Sequence, residues 1–130
     1  MRPPAYVPLI YIADQRQRVE VYRKLAQITD AESLGVLRRE LRDRFGPPPP
    51  EVEMLLDVAE LKVIAAARGV TAIETRGSKL LLTRNHDLVF VGRNFPRLTE
   101  SEASARVREI RRLLLSMESQ WMPVVSTAVS

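Results

Sequence analysis

The sequence has 130 residues, no cysteine and a single histidine, His86. Without cysteine the chain can form no disulfide framework, thiolate zinc site or cysteine nucleophile, and a reducing cytosol is its natural setting. One imidazole cannot build a histidine-cluster metal site, and its position within Asn-His-Asp favours a turn residue over a ligand. We therefore expect a cytoplasmic protein that holds no metal or cofactor.

Long apolar runs and catalytic motifs are also missing. No segment reaches the ~18 apolar residues of a membrane span, and the N-terminus MRPPAYVPLIYIAD lacks the apolar core and cleavage site of a signal peptide. No G-x-x-x-x-G-K-[ST] phosphate loop is present, RGSK at 76–79 lacks the first glycine, and no G-x-G-x-x-G follows a strand. These absences predict no membrane contact and no catalysis, including nucleotide hydrolysis, by this chain alone.

What is present suffices for one domain. Hydrophobic residues make up 45% of the chain, enough for a single core, and the net charge of +4 permits nucleic-acid contact without requiring it. Prolines at 3, 4 and 8 favour an extended lead-in over residues 1–13. We expect one domain over residues 14–120 and a tail over 121–130 that frays.

Helical patterns fill the first half of the chain. Asp14 is a suitable N-cap for a helix over 15–28, and Thr29 with Glu32 has capping-box spacing for a second helix over 30–44. The predicted inward face of the first helix comprises Val19, Tyr22, Leu25 and Ala26. The predicted inward stripe of the second comprises Leu34, Leu37, Leu41 and Phe45.

Four consecutive prolines separate the second helix from a third. Gly46 suits a left-handed helix end, and the prolines cannot extend a helix past it. Pro50 can occupy the first turn of a helix over 51–68, since its missing N–H is not needed there, and Gly69 ends that helix. The prolines therefore predict a stiff corner between two helices, the second of which is apolar on most sides.

The second half of the chain changes period. VTAIET, KLLLTRN and LVFVG, bounded by RGS and NHD, predict three short antiparallel strands. Thr99 and Glu102 have capping-box spacing for a closing helix over 100–119, whose predicted inward residues are Ala103, Val107, Ile110, Leu114 and Met117. The predicted fold class is α+β: three helices, a small three-stranded antiparallel sheet and a closing helix.

Glu40 and Asp43 are the first candidates for a binding site. They lie about 60° apart around the second helix, away from the leucine stripe, so both carboxylates are expected in water. One interpretation pairs Glu40 with Arg44 and Arg39 with Asp43 within the helix. The other has the two carboxylates meet arginines on another protein surface.

A second candidate is the basic surface of the closing helix, formed by Arg106, Arg108, Arg111 and Arg112. Such a stripe could bind phosphate, which makes a nucleic-acid-binding accessory domain the alternative function. Acidic residues are interleaved and no set of stacking aromatics accompanies the arginines, so a solvated helix face is favoured.

Two long segments carry a family resemblance. VPLIYIADQRQRVEVYRKLA and LRRELRDRFGPPPPEVEMLLDVAELKVIAAARGVTAI resemble the C-terminal domain of the bacterial transcription-repair coupling factor, over residues 7 to about 74. The E-L-x-D-R-F-G element, a proline-bearing turn, a leucine-rich helix and G-[IV]-x-x-I carry the likeness. Beyond residue 75 the resemblance weakens.

The resemblance implies a function that the residues alone do not. Members of this family are ATP-driven DNA translocases that displace stalled RNA polymerase and recruit repair proteins through UvrA. Their C-terminal domain folds back on the N-terminal UvrB-like module and masks the surface used by UvrA. By position, Glu40, Asp43 and Arg44 are the implied docking residues. We accordingly expect a monomeric regulatory domain rather than an enzyme.

Overall fold

The computed structural model describes residues 5–90 and 94–117. It divides the chain into two compact units, Met1–Val63 and Ile64–Ser130. In chain order the elements are α1 (Gln15–Gln27), α2 (Ala31–Phe45), α3 (Pro50–Ala67), β1 (Val70–Arg76), β2 (Lys79–Arg84), β3 (Asp87–Leu88) and α4 (Ala103–Leu115). The predicted α+β class is confirmed, whereas the single domain over 14–120 stays a prediction and the tail over 121–130 lies outside the described residues.

Three helix starts test the predicted caps. Asp14 caps α1 as predicted, its carboxylate accepting from the backbone N–H of Arg16 at 3.0 Å. The cap of α2 is Asp30 rather than Thr29, because the Asp30 carboxylate accepts from the N–H of Ser33 at 2.7 Å. A short anionic side chain at this position also interacts favourably with the helix dipole.

The closing helix α4 also begins later than predicted. Its cap is Glu102, whose carboxylate accepts from the backbone N–H groups of Ser104 and Ala105. Thr99 is not the cap, and its hydroxyl and its N–H both donate to Glu109. Helix α4 ends at Leu115, and the predicted end at residue 119 lies beyond the described part of the chain.

Helix α1 buries a different face from the predicted one. Of the predicted residues only Leu25 is partly buried, and Val19, Tyr22 and Ala26 are exposed. Val21 is buried instead, and Ile28 is partly buried. Both sets fit a helical period, and packing into the apolar core of the first unit selected the set that contains Val21. Tyr22 still takes part in the fold, since its hydroxyl accepts from the backbone N–H of Val7 at 2.8 Å.

The first unit has a continuous apolar core. Leu34, Leu37 and Leu41 of α2 are buried as predicted, and Phe45 packs partly buried against them. The core also contains Val7, Ile12, Val21, Val52, Leu56 and Ala59. The lead-in therefore contributes to the core, and it is not extended throughout, because the N–H groups of Tyr11 and Ile12 both donate to the Pro8 carbonyl.

The proline corner forms as predicted, except that Gly46 is not in the left-handed helical conformation expected of it. Gly46 has φ 88° and ψ −176°, an extended conformation of positive φ that only glycine adopts readily. The ψ value suits a residue before proline, which avoids helical ψ. Helix α3 starts at Pro50, and the carbonyl of Pro49 accepts from the N–H groups of Val52 and Glu53 at 3.0 and 2.9 Å. Gly69 follows its end with φ 77°.

The second unit contains an antiparallel meander in the order β1-β2-β3. Leu80 and Leu82 of β2 are fully buried on one face. Asn85 and His86 both have positive φ, 55° and 69°, which forms the tight turn predicted for His86. Strand β3 is shorter than predicted, although Val89 still donates to Leu82 at 2.9 Å, and residues 91–92 of the predicted strand lie outside the described ranges.

Helix α4 packs with the predicted stripe. Val107, Ile110, Leu114 and Met117 are buried, and Ala103 is partly buried. One polar residue, Glu109, is buried with them.

Candidate docking surface

Glu40 lies at the contact between α1 and α2. Both of its carboxylate oxygens accept from Nζ of Lys24 at 2.9 Å, and Oε2 also accepts from Arg44 at 3.0 Å. Its side chain is 28% exposed. The expectation that Glu40 lies fully in water is therefore wrong, because α1 brings Lys24 over it. The predicted pairing with Arg44 is confirmed.

The two cations also set the protonation of Glu40. The hydrogen bond from Lys24 is the main cause that lowers the pKa of Glu40 below its ordinary value, with Arg44 adding to it against the cost of partial burial. Glu40 is consequently an anion at neutral pH whose charge is shared by two partners.

Asp43 is the contrasting carboxylate. It is exposed, and among residues 5–90 and 94–117 no lysine or arginine pairs with it. The predicted pair between Arg39 and Asp43 is thus not formed. Arg44, 49% exposed, lies beside it on the same helix with its guanidinium 5.0 Å from the Phe45 ring centre. Packing on this ring and pairing with Glu40 hold Arg44 in one direction.

Two shallow clefts flank the pair formed by Lys24 and Glu40. One, of about 150 Å³, is bordered also by Arg44 and Phe45, and the other, of about 290 Å³, by Val36. Leu37 contributes to the floor of both. The ion pair is therefore a ridge between two depressions on the surface of the first unit, each large enough for part of a partner side chain.

Arg38 supports this surface from the other side of α2. Its guanidinium bonds Glu53 at 3.3 Å and Asp57 at 3.4 Å on α3. Tyr11 ties the end of α2 as well, donating to the carbonyls of Leu41 and Gly46 at 3.2 and 2.8 Å. Sequence patterns indicated neither the contacts of Arg38 nor those of Tyr11, because in each case the two bonded residues are far apart in the chain. Together with the proline corner they fix the orientation of the helix that carries Asp43. We call Glu40, Asp43 and Arg44 the docking triad.

The four arginines of the predicted basic surface do not lie together. At about 100° per residue, Arg108, Arg111 and Arg112 fall on one side of α4 and Arg106 on nearly the opposite side. The Arg106 guanidinium donates to the carbonyl of Gly77 in the β1–β2 turn. Arg108 is close enough to Glu102 to help lower the pKa of that carboxyl. The predicted stripe is therefore three exposed arginines plus one that belongs to the hairpin.

Glu109 is an interacting residue that the sequence patterns missed. It is 7% exposed and accepts from the N–H of Thr99, the hydroxyl of Thr99 and the N–H of Glu100 at 2.8 to 3.0 Å. Burial disfavours its charge most strongly, but these hydrogen bonds outweigh burial and lower the pKa of Glu109. Glu109 lies about 100° around α4 from Ile110, outside the apolar stripe, so helical spacing gave no signal of its burial.

Two negative findings apply to the described residues. In the ranges 5–90 and 94–117, no group of three or more histidine, cysteine, aspartate or glutamate side chains could hold a metal ion. None of the helices there is long and apolar enough to cross a membrane.

This architecture matches a known class of domain. The family model described as the TRCF domain matches residues 1–88, more than half of the chain, and the chain therefore belongs to the TRCF domain family. A crystal structure of the C-terminal domain of transcription-repair coupling factor is similar in fold, with a TM-score of 0.58 and 34% sequence identity over 63% of this chain and 51% of that one.

Curated relatives agree with this family. The chain is 40% identical over 76 residues to the transcription-repair-coupling factor of Staphylococcus haemolyticus, and 41% identical over 76 residues to that of Staphylococcus epidermidis. Each alignment covers 58% of this chain and 6% of the relative. The chain thus corresponds to a small part of a much longer type of protein, and the resemblance inferred from E-L-x-D-R-F-G is confirmed.

Proposed function

We propose that this chain is the regulatory C-terminal domain of a transcription-repair coupling factor and that it works by docking. In this proposal it binds the N-terminal UvrB-like module of the same parent, covers the surface that UvrA uses, and restrains the DNA translocase. ATP hydrolysis and the contacts with RNA polymerase and DNA belong to other parts of the parent. The exposed and unpaired carboxylate of Asp43, next to the doubly paired Glu40, is the observation that carries the proposal.

The three residues of the docking triad have different roles in it. Asp43 and Arg44 contact the partner, since both are exposed, and Asp43 offers an anion that no cation of the described chain neutralises. Glu40 is a positioning residue, which directs Arg44 and is itself held by Lys24. An arginine on the partner surface matches Asp43, because paired charges gain strength when docking excludes part of the water.

Such an interface can be both closed and releasable. Exposed charge pairs contribute only about 0.2–1 kcal/mol each, so their loss on opening is easily replaced by hydration. Within one polypeptide the linker supplies an effective concentration of the order of millimolar, which keeps a weak contact closed. A competing partner that binds only the open form then shifts the population.

The direct test is titration calorimetry of the chain against the N-terminal UvrB-like module from the same organism. Asp43→Asn should weaken binding by about fivefold to tenfold, the loss of one partly desolvated charge pair. Glu32→Gln is the matched control, because it removes an exposed carboxylate from the same helix and should leave affinity unchanged. Equal affinity for Asp43→Asn and the unmodified chain would exclude the docking triad.

A second test uses the intact parent protein. The double change Glu40→Ala and Asp43→Ala should increase UvrA binding and barely alter the melting temperature of this domain. The increase is expected because an open parent presents the UvrA surface. Unchanged UvrA binding, with module binding lost in the first test, would retain docking but remove masking from the proposal.

A further inference from the structure

We propose that a cationic cluster at the tip of the β1–β2 hairpin binds the phosphodiester backbone of single-stranded nucleic acid. The cluster, called here the hairpin-tip cluster, consists of Arg76, Lys79, Arg97 and Arg106. It lies wholly within the second unit, and two of its members fall beyond residues 1–88 that match the family model. The inference does not depend on the docking triad, which has the opposite charge and lies in the first unit.

Contacts with the turn bring the cluster together. The guanidinium of Arg106 donates to the carbonyl of Gly77, and that of Arg97 donates to the hydroxyl of Ser78 at 3.1 Å. Arg76 and Lys79 are facing partners where β1 and β2 meet at this turn. Four cations thus surround the two adjacent turn residues Gly77 and Ser78. They come from β1, β2, the loop between β3 and α4, and α4 itself.

The backbone on either side of Arg97 is itself fixed. Leu98 donates to the Ser78 carbonyl at 2.7 Å, and Leu80 donates to the Pro96 carbonyl at 2.8 Å. Lys79 and Arg97 form an isolated antiparallel bridge between these hydrogen bonds. Little backbone ordering is therefore needed when a ligand binds, which favours affinity.

The positive charges of the cluster are not compensated within the described chain. No ion pair among residues 5–90 and 94–117 involves any of its four members. The two guanidinium groups are bound to neutral oxygens, and Glu74, the preceding residue on the same strand face as Arg76, is not paired with it. Glu102 and Glu109 are engaged by backbone N–H groups. Like charges held close together favour the binding of a polyanion.

An aromatic pair next to the cluster favours nucleic acid over other polyanions. The Phe90 and Phe95 rings stack with their centres 4.8 Å apart, and Nζ of Lys79 lies 5.9 Å from the centre of the Phe95 ring. Both rings are partly exposed. Cations that follow a backbone, combined with an aromatic ring on which a base can stack, are characteristic of sites for single strands.

The hairpin-tip cluster is distinct from the basic surface predicted on the closing helix. Arg106 is shared by the two, but Arg108, Arg111 and Arg112 lie on the other side of α4. The two surfaces also differ in how their charges are compensated. On the closing helix Arg108 helps to lower the pKa of Glu102 and Arg112 that of Glu109, so both arginines interact with a nearby carboxylate.

Fluorescence anisotropy with a labelled oligothymidine of about 12 nucleotides tests the site, since this length is within the range that one small domain covers. The unmodified chain should bind it, with affinity that falls steeply between about 50 and 200 mM salt. The double variant Arg76→Gln and Lys79→Gln should bind about tenfold more weakly, and the salt slope should fall by about 1.4, the value for two lost contacts to a single strand. Neither side chain makes a hydrogen bond within the described chain, so thermal unfolding should be unchanged.

Two further variants separate the outcomes. The double variant Arg39→Gln and Lys62→Gln removes the same charge from exposed positions of the first unit and should leave the dissociation constant unchanged. If it weakens binding equally, the attraction is diffuse net charge and the site is refuted. If Arg108→Gln with Arg112→Gln is the variant that loses binding, the closing helix is the site instead. No binding at about 50 mM salt, or tighter binding to heparin than to the oligonucleotide, would also overturn the proposal.

Discussion

Two glutamates, one in each compact unit, are held in different ways. Glu40 of the first unit is partly exposed and binds two side-chain cations, whereas Glu109 of the second is buried and binds backbone N–H groups and a hydroxyl. Lysine and arginine side chains can move away without disturbing the helices. The N–H groups of Thr99 and Glu100 cannot leave Glu109 unless the loop before α4 moves.

The difference separates exchangeable charge from structural charge. In the first unit the buried leucines of α2, Leu34, Leu37 and Leu41, form a leucine seam that supplies the stability. The charged groups on the surface of this unit are therefore available to a partner. In the second unit a carboxylate is part of the packed interior, and its loss leaves donors unpaired. Variants that remove one kind of contact and retain the other test this contrast.

Leu41→Ala should lower the free energy of unfolding by about 3 kcal/mol, the cost of deleting a fully buried leucine and leaving a cavity. Urea denaturation followed by circular dichroism measures the change. Val36→Ala, an exposed position of the same helix, is the control and should cost less than about 0.5 kcal/mol. Similar losses for the two variants would mean that the leucine seam does not stabilise the first unit.

Glu109→Ala should lower the free energy of unfolding by about 2 kcal/mol, because two N–H groups and a hydroxyl lose their acceptor in a buried site. Glu109→Gln should fall between the alanine variant and the unmodified chain, since one acceptor oxygen remains. Glu100→Ala is the exposed control. If Glu109→Ala lowers the free energy of unfolding no more than the control does, Glu109 is an exchangeable charge like Glu40 and not a structural one.

Acidic pH should destabilise the chain. The folded-state pKa values of Glu40 and Glu109 both lie below the ordinary 4.5, so folding favours the ionised forms. Their contribution is present above pH 4.5 and is lost as the pH falls through the lower folded-state values. Denaturation at a series of pH values measures this, and Glu109→Gln should show a shallower decline. An identical slope in that variant would contradict the assignment.

Lys24→Met should have the smallest effect, at most about 0.5 kcal/mol, because a partly exposed ion pair contributes little. The methionine keeps most of the apolar stem, so packing on α2 is retained. Lys62→Met, at an exposed position, is the control. A loss of more than about 2 kcal/mol would show that the ridge between the clefts is structural and would weaken the contrast with Glu109.

Local sequence signals predicted much of the fold. The leucine seam, the corner from Gly46 to Pro50 and the turn at His86 were predictable because each depends on neighbouring residues in the chain. The face of α1 was not, since two sets of apolar residues fit the helical period and packing selected one. The caps of α2 and α4 were predicted at Thr29 and Thr99. They lie instead at Asp30 and Glu102, whose carboxylates accept from backbone N–H groups in the first turn of each helix.

The candidate site was predictable only in part. Glu40, Asp43 and Arg44 were identified through the resemblance, and the pair between Glu40 and Arg44 follows from helical spacing. The contact with Lys24 could not be predicted, because it depends on how α1 lies against α2, 16 residues away in sequence. The hairpin-tip cluster could not be predicted for the same reason, since its four cations come from separate elements that only the folded chain brings together.

The packing of Val7 and Ile12 has a practical consequence for anyone who trims this chain. A fragment designed from helix limits alone would start near Gln15 and remove both side chains, together with the Tyr11 hydroxyl that donates to Leu41 and Gly46. The truncated protein would expose the apolar core residues that Val7 and Ile12 cover, and it would aggregate during purification. An expression fragment should therefore retain every residue from Ala5 onward, even though no regular secondary structure begins there.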